Sequence, residues 1–168
     1  MSRLRRSLGP LIALAATLAA APALAQDLKL VGPAGQSATL TAAEFAALPH
    51  VALTVTLEGK TLAFQGVPLS LLLAKVGAPQ GETLRGKAMS DVVLVSAKDG
   101  YVVALALAET DAKMRKEQVI LADRMNGAPL PDNAAPYRLV VEGDLRAART
   151  ARMVTAIAVR HLDAEGAR

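Results

Sequence analysis

Short apolar runs rich in β-branched residues, separated by turn-forming residues, are the feature that most restricts the fold of this chain. Runs of this kind are typical of β-strands. Two of them are joined by Ala97-Lys98-Asp99-Gly100, and Asp-Gly is a strong signal for a β-hairpin. Because the runs do not alternate regularly with helical segments, the sequence predicts mostly antiparallel pairing rather than repeated βαβ units. The predicted strands are residues 27–31, 51–57, 61–64, 92–96, 101–105, 119–122, 138–141 and 153–159.

Two segments carry helix signals instead. Thr41 and Glu44 have the spacing of a capping box, in which each side chain bonds to the other residue's backbone N–H. Pro68 suits the first turn of a second helix over residues 69–76, and Gly77 suits its end. Residues 109–117 are polar and predict a short helix or a loop. The predicted fold class is therefore α+β, with mixed, mostly antiparallel β-structure and a few short helices.

The first 25 residues have the order of a cleavable signal peptide. Arg3, Arg5 and Arg6 precede an uncharged stretch that ends in an A-x-A pattern at Ala23 and Ala25. A membrane anchor is the alternative reading, but the stretch contains two prolines and is mostly alanine. We therefore expect residues 1–25 to be a signal peptide and residues 26–168 to be one periplasmic or secreted domain. Arg5-Arg6 also partly matches a twin-arginine export signal, although an ordinary basic leader is the simpler reading.

The charge and composition of the domain disfavour several classes of partner. Three of the 19 Lys and Arg residues but none of the 15 Asp and Glu residues precede Gln26, so the formal net charge from there on is only +1. A near-neutral domain lacks the clustered positive charge that nucleic acids and anionic membranes attract. Tyrosine and phenylalanine number two each, too few for a base-stacking surface. We therefore expect no nucleic-acid partner, and no membrane association after cleavage.

Most familiar catalytic patterns are missing. The chain has no cysteine, no phosphate-binding glycine loop and no closely spaced histidine pair. The two histidines, His50 and His161, are far apart in sequence, and Asp99 and Asp132 lie in turns, where carboxylates usually bond to nearby backbone N–H groups. Arg138 opens a strongly apolar run, a poor place for a cation without a partner. It fits a salt bridge or solvated strand end as well as it fits an anion-binding role.

Five motifs in a fixed order resemble the molybdopterin-binding domain of the sulfite oxidase family. The resemblance extends from about Leu40 to Val159. The motifs are Leu40-Thr41-Ala42-Ala43-Glu44-Phe45-Ala46-Ala47-Leu48-Pro49, then Phe64-Gln65-Gly66-Val67-Pro68-Leu69, then Asp99-Gly100-Tyr101, then Met125-Asn126-Gly127-Ala128-Pro129-Leu130, and finally Pro136-Tyr137-Arg138-Leu139-Val140-Val141.

The resemblance implies a site for molybdenum held by a pyranopterin dithiolene and by one cysteine thiolate of the protein. Aligned on the motif around Gly66, that cysteine position falls at or next to Thr56. A threonine hydroxyl stays protonated and is a hard ligand, so it is a poor substitute for a thiolate. Arg138 matches the family's basic pocket, and Tyr101 and Asn126 are further candidate cofactor contacts. Asn126-Gly127 is nevertheless more typical of a tight turn.

Three functional hypotheses remain at this stage. The first is a non-catalytic or accessory exported member of the fold that binds a pterin-like or other small anionic ligand, without a bound metal. The second is a molybdenum-dependent periplasmic oxidoreductase whose metal has no cysteine ligand. The third is a module without a ligand that binds a periplasmic protein partner.

Overall fold

Two five-stranded sheets form the body of the protein in this computed structural model, which describes residues 26–163. The first sheet has the strand order β2-β1-β10-β5-β6. The pair β1 and β10 is parallel, with Lys29 opposite Ala156, and the other neighbours are antiparallel. Its strands are β1 (Leu28–Val31), β2 (Ser37–Leu40), β5 (Asp91–Ala97), β6 (Val102–Ala106) and β10 (Val154–His161).

The second sheet is antiparallel and is built around a central strand, β7. One edge of β7 pairs with β4, which in turn pairs with β3. The other edge pairs with β8 near Met125 and with β9 near Val119. The strands are β3 (Val51–Leu57), β4 (Lys60–Pro68), β7 (Val119–Met125), β8 (Ala128–Pro129) and β9 (Arg138–Val141).

Strands β4 and β7 approach unusually closely at Gly66. The register between them shifts between Gln65 and Gly66, as in a β-bulge. A Cβ atom at Gly66 would lie only 2.2 Å from the carbonyl oxygen of Leu121. Glycine is therefore the residue that this crossing requires, and the bulge redirects β4 toward the helix that follows it.

The apolar residues form two separate cores, one on each face of the second sheet. The main core contains residues of both sheets together with Phe45 and the inner face of the second helix. The smaller core lies on the other face, where the loop around residues 130–134 covers part of the sheet. Strand β9 contributes residues to both cores, because Leu139 belongs to the main core and Val140 to the smaller one. Arg138 and Val140 are two positions apart in this strand, so both side chains lie on the face of the smaller core.

The helices are short. Helix α1 (Ala42–Ala46) begins at the predicted capping box: Thr41 Oγ1 accepts from the N–H of Glu44, and a Glu44 carboxylate oxygen accepts from the N–H of Thr41 at 2.8 Å. Helix α2 (Leu69–Ala74) ends two residues earlier than expected. Pro68 is its N-cap and the last residue of β4, rather than part of its first turn. Among residues 26–163, no helix is long and apolar enough to span a membrane.

The predicted fold class is confirmed: the sheets are mixed and mostly antiparallel, with a few short helices. Both predicted hairpins are present, as the pairs β3–β4 and β5–β6. Strand β2 was not predicted. A short helix or loop was expected over residues 109–117, whereas the structure has a 3-10 turn at residues 107–110. The predicted signal peptide lies outside the described residues.

Candidate anion-binding site

A cavity of about 270 Å³ opens over the smaller core of the second sheet. Its floor is apolar, with Leu57 from the end of β3 and Leu62 from β4. Its walls come from two loops, one before β9 with Asn133 and Ala134 and one before β10 with Ala147 and Arg152. The cavity therefore lies where strand ends and loops meet, which is a common place for a ligand site.

Arg138 is the buried cation of this cavity. The residue is only 6 % exposed, and its guanidinium carbon lies 5.1 Å from the centre of the Phe64 ring, within the range of a cation–π contact. One terminal nitrogen, Nη2, donates to Thr150 Oγ1 across a long 3.3 Å. Nε is sealed from solvent and has no hydrogen-bond partner. A buried guanidinium normally satisfies its donors, so this one is poorly satisfied in the structure.

Two more basic residues share the cavity. Lys60 and Arg152 line it together with Arg138, against one acidic residue, Glu58. Within residues 26–163, no carboxylate forms an ion pair with Arg138 or Arg152. Burial, and secondly the charge of Arg152, lower the pKa of Arg138 from its ordinary value. An anion between these side chains would relieve both effects, because it would replace lost hydration and offset the repulsion between the arginines.

Backbone hydrogen bonds fix the two arginine-bearing segments against each other. Leu139 N donates to Ala151 O at 2.8 Å, and Val154 N donates to Tyr137 O at 2.9 Å. Arg152 lies between these two contacts, so its backbone cannot move away from β9 without breaking one of them. The basic side chains are thus presented on a preorganised frame, which reduces the entropic cost of binding.

An ion-pair network stabilises the loop before Arg152. Arg149 Nη2 lies 2.5 Å and Nε 3.0 Å from the two oxygens of Asp144, and Nη1 lies 3.0 Å from Glu109 Oε1. These contacts raise the pKa of Arg149 above its ordinary value, chiefly through the hydrogen bonds to Asp144. Arg149 is therefore a structural residue, whereas Arg152 faces the cavity.

The structure separates the other predicted contacts from Arg138. Thr56 lies on the exposed side of β3, where its hydroxyl is 3.2 Å from that of Thr61, and it does not line the Arg138 cavity. Its predicted place on the floor of the site gains no support from this position. Tyr101 borders a neighbouring depression of about 230 Å³ that shares Arg152 with the cavity, and its hydroxyl donates to Ala148 O at 2.7 Å.

Asn126 stabilises the turn that follows β7. It has a positive φ of 52°, and its carboxamide oxygen accepts from the N–H of Ala63 at 3.0 Å. Its own N–H donates to the carbonyl of Ala63 at 2.7 Å. Asn126 therefore forms the tight turn that the sequence favoured and ties it to β4. A role as a cofactor contact stays a prediction.

Sequence reasoning missed Lys60, Asn133 and Arg152. The only signal for Arg152 was the spacing of Arg146, Arg149 and Arg152, which places a basic residue at every third position. That pattern does not say which of the three faces a cavity, because the choice depends on the contacts between the loop and β9.

Comparison with known proteins agrees with this architecture. The family model described as "Oxidoreductase molybdopterin binding domain" matches residues 19–167. The chain belongs to the oxidoreductase molybdopterin-binding domain family. Its family membership confirms the resemblance inferred from the five sequence motifs. A search of curated proteins found no match.

Among solved structures, this family member is similar to the sulfane dehydrogenase SoxCD from Paracoccus pantotrophus, with a TM-score of 0.65. The two sequences are 19 % identical, and the match covers 83 % of this chain but 39 % of the other. At this identity the similarity establishes the fold alone. The chain thus corresponds to well under half of that larger protein.

The residues of this family member do not fit a thiolate-ligated molybdenum centre. The chain has no cysteine, and residues 26–163 contain no group of three His, Cys, Asp or Glu residues that could hold a metal ion. Soft thiolate is the protein ligand that the resemblance implies, and threonine does not replace it. The basic residues of the cavity, by contrast, have the chemistry to bind an anionic group such as phosphate or carboxylate.

Proposed function

We propose that this family member is a non-catalytic or accessory protein that binds a pterin-like or other small anionic ligand in the Arg138 cavity. The observation that carries the proposal is the buried guanidinium of Arg138 beside Arg152 and Lys60, which forms no ion pair with a carboxylate of residues 26–163. Such an arrangement costs stability in the free protein, because a buried cation has lost its hydration without gaining a full set of acceptors. A bound anion would offset this charge and so reduce that cost.

The size of the cavity limits the ligand. Cavities that enclose an entire drug-sized ligand measure about 300–1,000 Å³, whereas this one measures about 270 Å³. The cavity therefore suits the charged end of a ligand. Arg152 lines both this cavity and the depression bordered by Tyr101, so the rest of the ligand would extend toward that depression. An anionic pterin would then place its acidic group between the arginines.

A fluorescence titration with pterin-6-carboxylate tests the proposal, and inorganic phosphate serves as a competitor. We expect saturable binding that phosphate weakens, and a loss of affinity of about tenfold or more in Arg138→Gln. Arg85→Gln is the matched control, since Arg85 is exposed and lies outside the cavity. Equal affinities for the Arg138→Gln and Arg85→Gln proteins would refute the assignment of the site.

The non-catalytic part of the proposal has its own test. Elemental analysis of protein isolated from its native source should find no stoichiometric molybdenum. A molar equivalent of the metal would overturn this part and favour an oxidoreductase with other ligands. It would leave the binding result at Arg138 standing.

Export is also part of the proposal. A signal peptide at residues 1–25 predicts that the exported protein begins at Gln26, which N-terminal sequencing of the periplasmic fraction can check. Replacing Arg5-Arg6 by Lys-Lys separates the two export routes. Blocked export would indicate twin-arginine transport, and unchanged export would indicate an ordinary signal peptide.

A further inference from the structure

Strand β3 forms an open edge of the second sheet. It pairs with β4 on one side, and the strand order places it at the end of the sheet. With seven residues it is longer than the edge strands of the first sheet, β2 with four and β6 with five. Residues 51–57 include no charged residue and no proline, and their register with β4 is continuous. Charges, prolines and bulges are the devices that usually protect an edge strand from pairing with another chain.

The backbone of β3 alternates between groups that bond to β4 and groups that point away from it. Ala63 is opposite Thr54, yet its N–H and its carbonyl oxygen both bond to Asn126. Thr54 therefore belongs to a non-hydrogen-bonded pair, so its own N–H and C=O face the open side of the strand. The same alternation turns Ala52 and Thr56 outward. Within residues 26–163, no backbone hydrogen bond from another segment reaches these three residues.

The outward groups of β3 are complementary to those of an identical strand. When two β3 strands are placed antiparallel with Thr54 opposite itself, Ala52 of each copy lies opposite Thr56 of the other. Each facing pair has N–H and C=O groups turned toward the other strand, so each can exchange both of its N–H···O bonds. A register displaced by one residue would set outward groups against residues whose backbone groups already bond to β4. The alternation thus selects one register.

The side chains of β3 fit the same register. It keeps exposed residues opposite exposed residues, and it places Leu53 opposite Val55 of the second copy, which brings the smaller cores of the two copies side by side. At each end, Glu58 falls opposite His50 of the second copy. No two like charges therefore face each other along the strand, and facing like charges are what would destabilise such a pair.

We propose that β3 pairs with β3 of a second copy of this chain, antiparallel and two-fold symmetric, with Thr54 at the centre. The second sheets of the two copies then form one continuous sheet. The interface is isologous, the commonest arrangement in homodimers. Leu53 and Val55 are only 6 % and 5 % exposed within one copy, so pairing adds backbone hydrogen bonds and little apolar area. The dimer is accordingly of the small, weak class and forms at high protein concentration.

Sedimentation equilibrium of the protein isolated from its native source tests the proposal. We expect the average mass to rise with concentration from that of one chain toward that of two. Thr54→Lys should weaken the association by about tenfold or more, because it places two ammonium groups opposite each other at the two-fold axis. Thr61→Lys is the matched control, since Thr61 is an exposed threonine of the same hairpin but lies on β4, away from the open edge.

A cysteine probe tests the register. The chain has no cysteine, so Thr54→Cys introduces a single thiol. Facing residues of a hydrogen-bonded antiparallel pair have Cα atoms about 5.5 Å apart, a separation that a disulfide can span. With oxidised glutathione as the oxidant, we expect Thr54→Cys to form a covalent dimer about tenfold or more faster than Thr61→Cys, the control.

Three results would overturn this proposal. They are a wild-type protein that stays monomeric at every concentration, equal association of Thr54→Lys and Thr61→Lys, and equal rates of cross-linking for the two cysteine variants. A monomeric wild type would leave this edge to a strand of a different protein. None of these measurements involves a ligand of the Arg138 cavity, so the dimer and the proposed function succeed or fail separately.

Discussion

The guanidinium of Arg138 stacks on the ring of Phe64, 5.1 Å from its centre, with Phe64 fully buried beneath it. This contact joins the smaller core to the candidate anion site, since the ring belongs to the core and the cation to the cavity. An aromatic face stabilises a cation without neutralising it. Arg138 can therefore be buried and still keep its charge for a ligand.

Replacing Phe64 by leucine should lower the free energy of unfolding by about 1–3 kcal/mol. The change removes the ring from a fully buried position and deletes the cation–π contact. Urea denaturation measures the effect. An unchanged midpoint would contradict the view that the ring supports both the core and the arginine.

Replacing Arg138 by methionine should affect stability in the opposite way from most core substitutions. We expect the free energy of unfolding to stay the same or to rise by about 1 kcal/mol, because an apolar chain of similar length removes a poorly satisfied buried cation. Phosphate should stabilise the wild-type protein in thermal unfolding and should not stabilise this variant. A loss of more than about 2 kcal/mol would instead identify Arg138 as a structural residue.

Because the pKa of Tyr137 is raised, we expect the protein to lose stability at high pH. Burial, and then the charges of Asp123 and Asp27, raise the pKa of Tyr137 to about 12, against about 10 in the unfolded chain. The folded state therefore holds its phenolic proton more tightly. This contribution is fully present below pH 10 and is lost as the pH rises toward 12, by about 2–3 kcal/mol in total.

The Tyr137→Phe variant isolates that contribution. The difference in unfolding free energy between wild type and variant, measured in urea at several pH values between 8 and 12, should shift in favour of phenylalanine as the pH rises. At pH 8 the variant should be no less stable, because the Tyr137 hydroxyl is sealed without a partner. A difference that does not change with pH would be inconsistent with the raised pKa.

Asn126 should matter for stability more than for binding. Asn126→Ala should cost about 1–2 kcal/mol, since alanine tolerates a positive φ poorly and cannot accept from Ala63 N. Asn126→Gly should cost less, because it keeps the backbone conformation and loses only the side-chain acceptor. Chemical denaturation of both variants gives the order, and titration with pterin-6-carboxylate should show unchanged affinity in both.

Local signals predicted much of this fold. The Asp99-Gly100 turn predicts the hairpin β5–β6, and Thr41 with Glu44 predicts the start of α1, because in each case the residues that decide the structure are neighbours in sequence. Strand β2 was missed because Ser37-Ala38-Thr39 has little apolar character of its own. Its pairing with β1 supplies the hydrogen bonds that hold it as a strand.

The candidate site was only half predictable for the same physical reason. Arg138 is conspicuous in sequence, because a cation beside an apolar run needs an explanation. Lys60 and Arg152 are ordinary basic residues in the sequence. Only the fold brings the start of β4 and the loop before β10 to the same cavity. Thr56 was chosen by alignment to a family pattern, and its role in a site stays a prediction.

The parallel pairing of Lys29 with Ala156 has a consequence for how the protein is made. Strand β10 lies between β1 and β5 at the centre of the first sheet, yet it is the last of the described strands to leave the ribosome. Until it arrives, β1 and β2 have no sheet to join, and the apolar faces of β1 and β5 lie open. The first sheet can therefore be completed only after β10, the last of the described strands, has been synthesised.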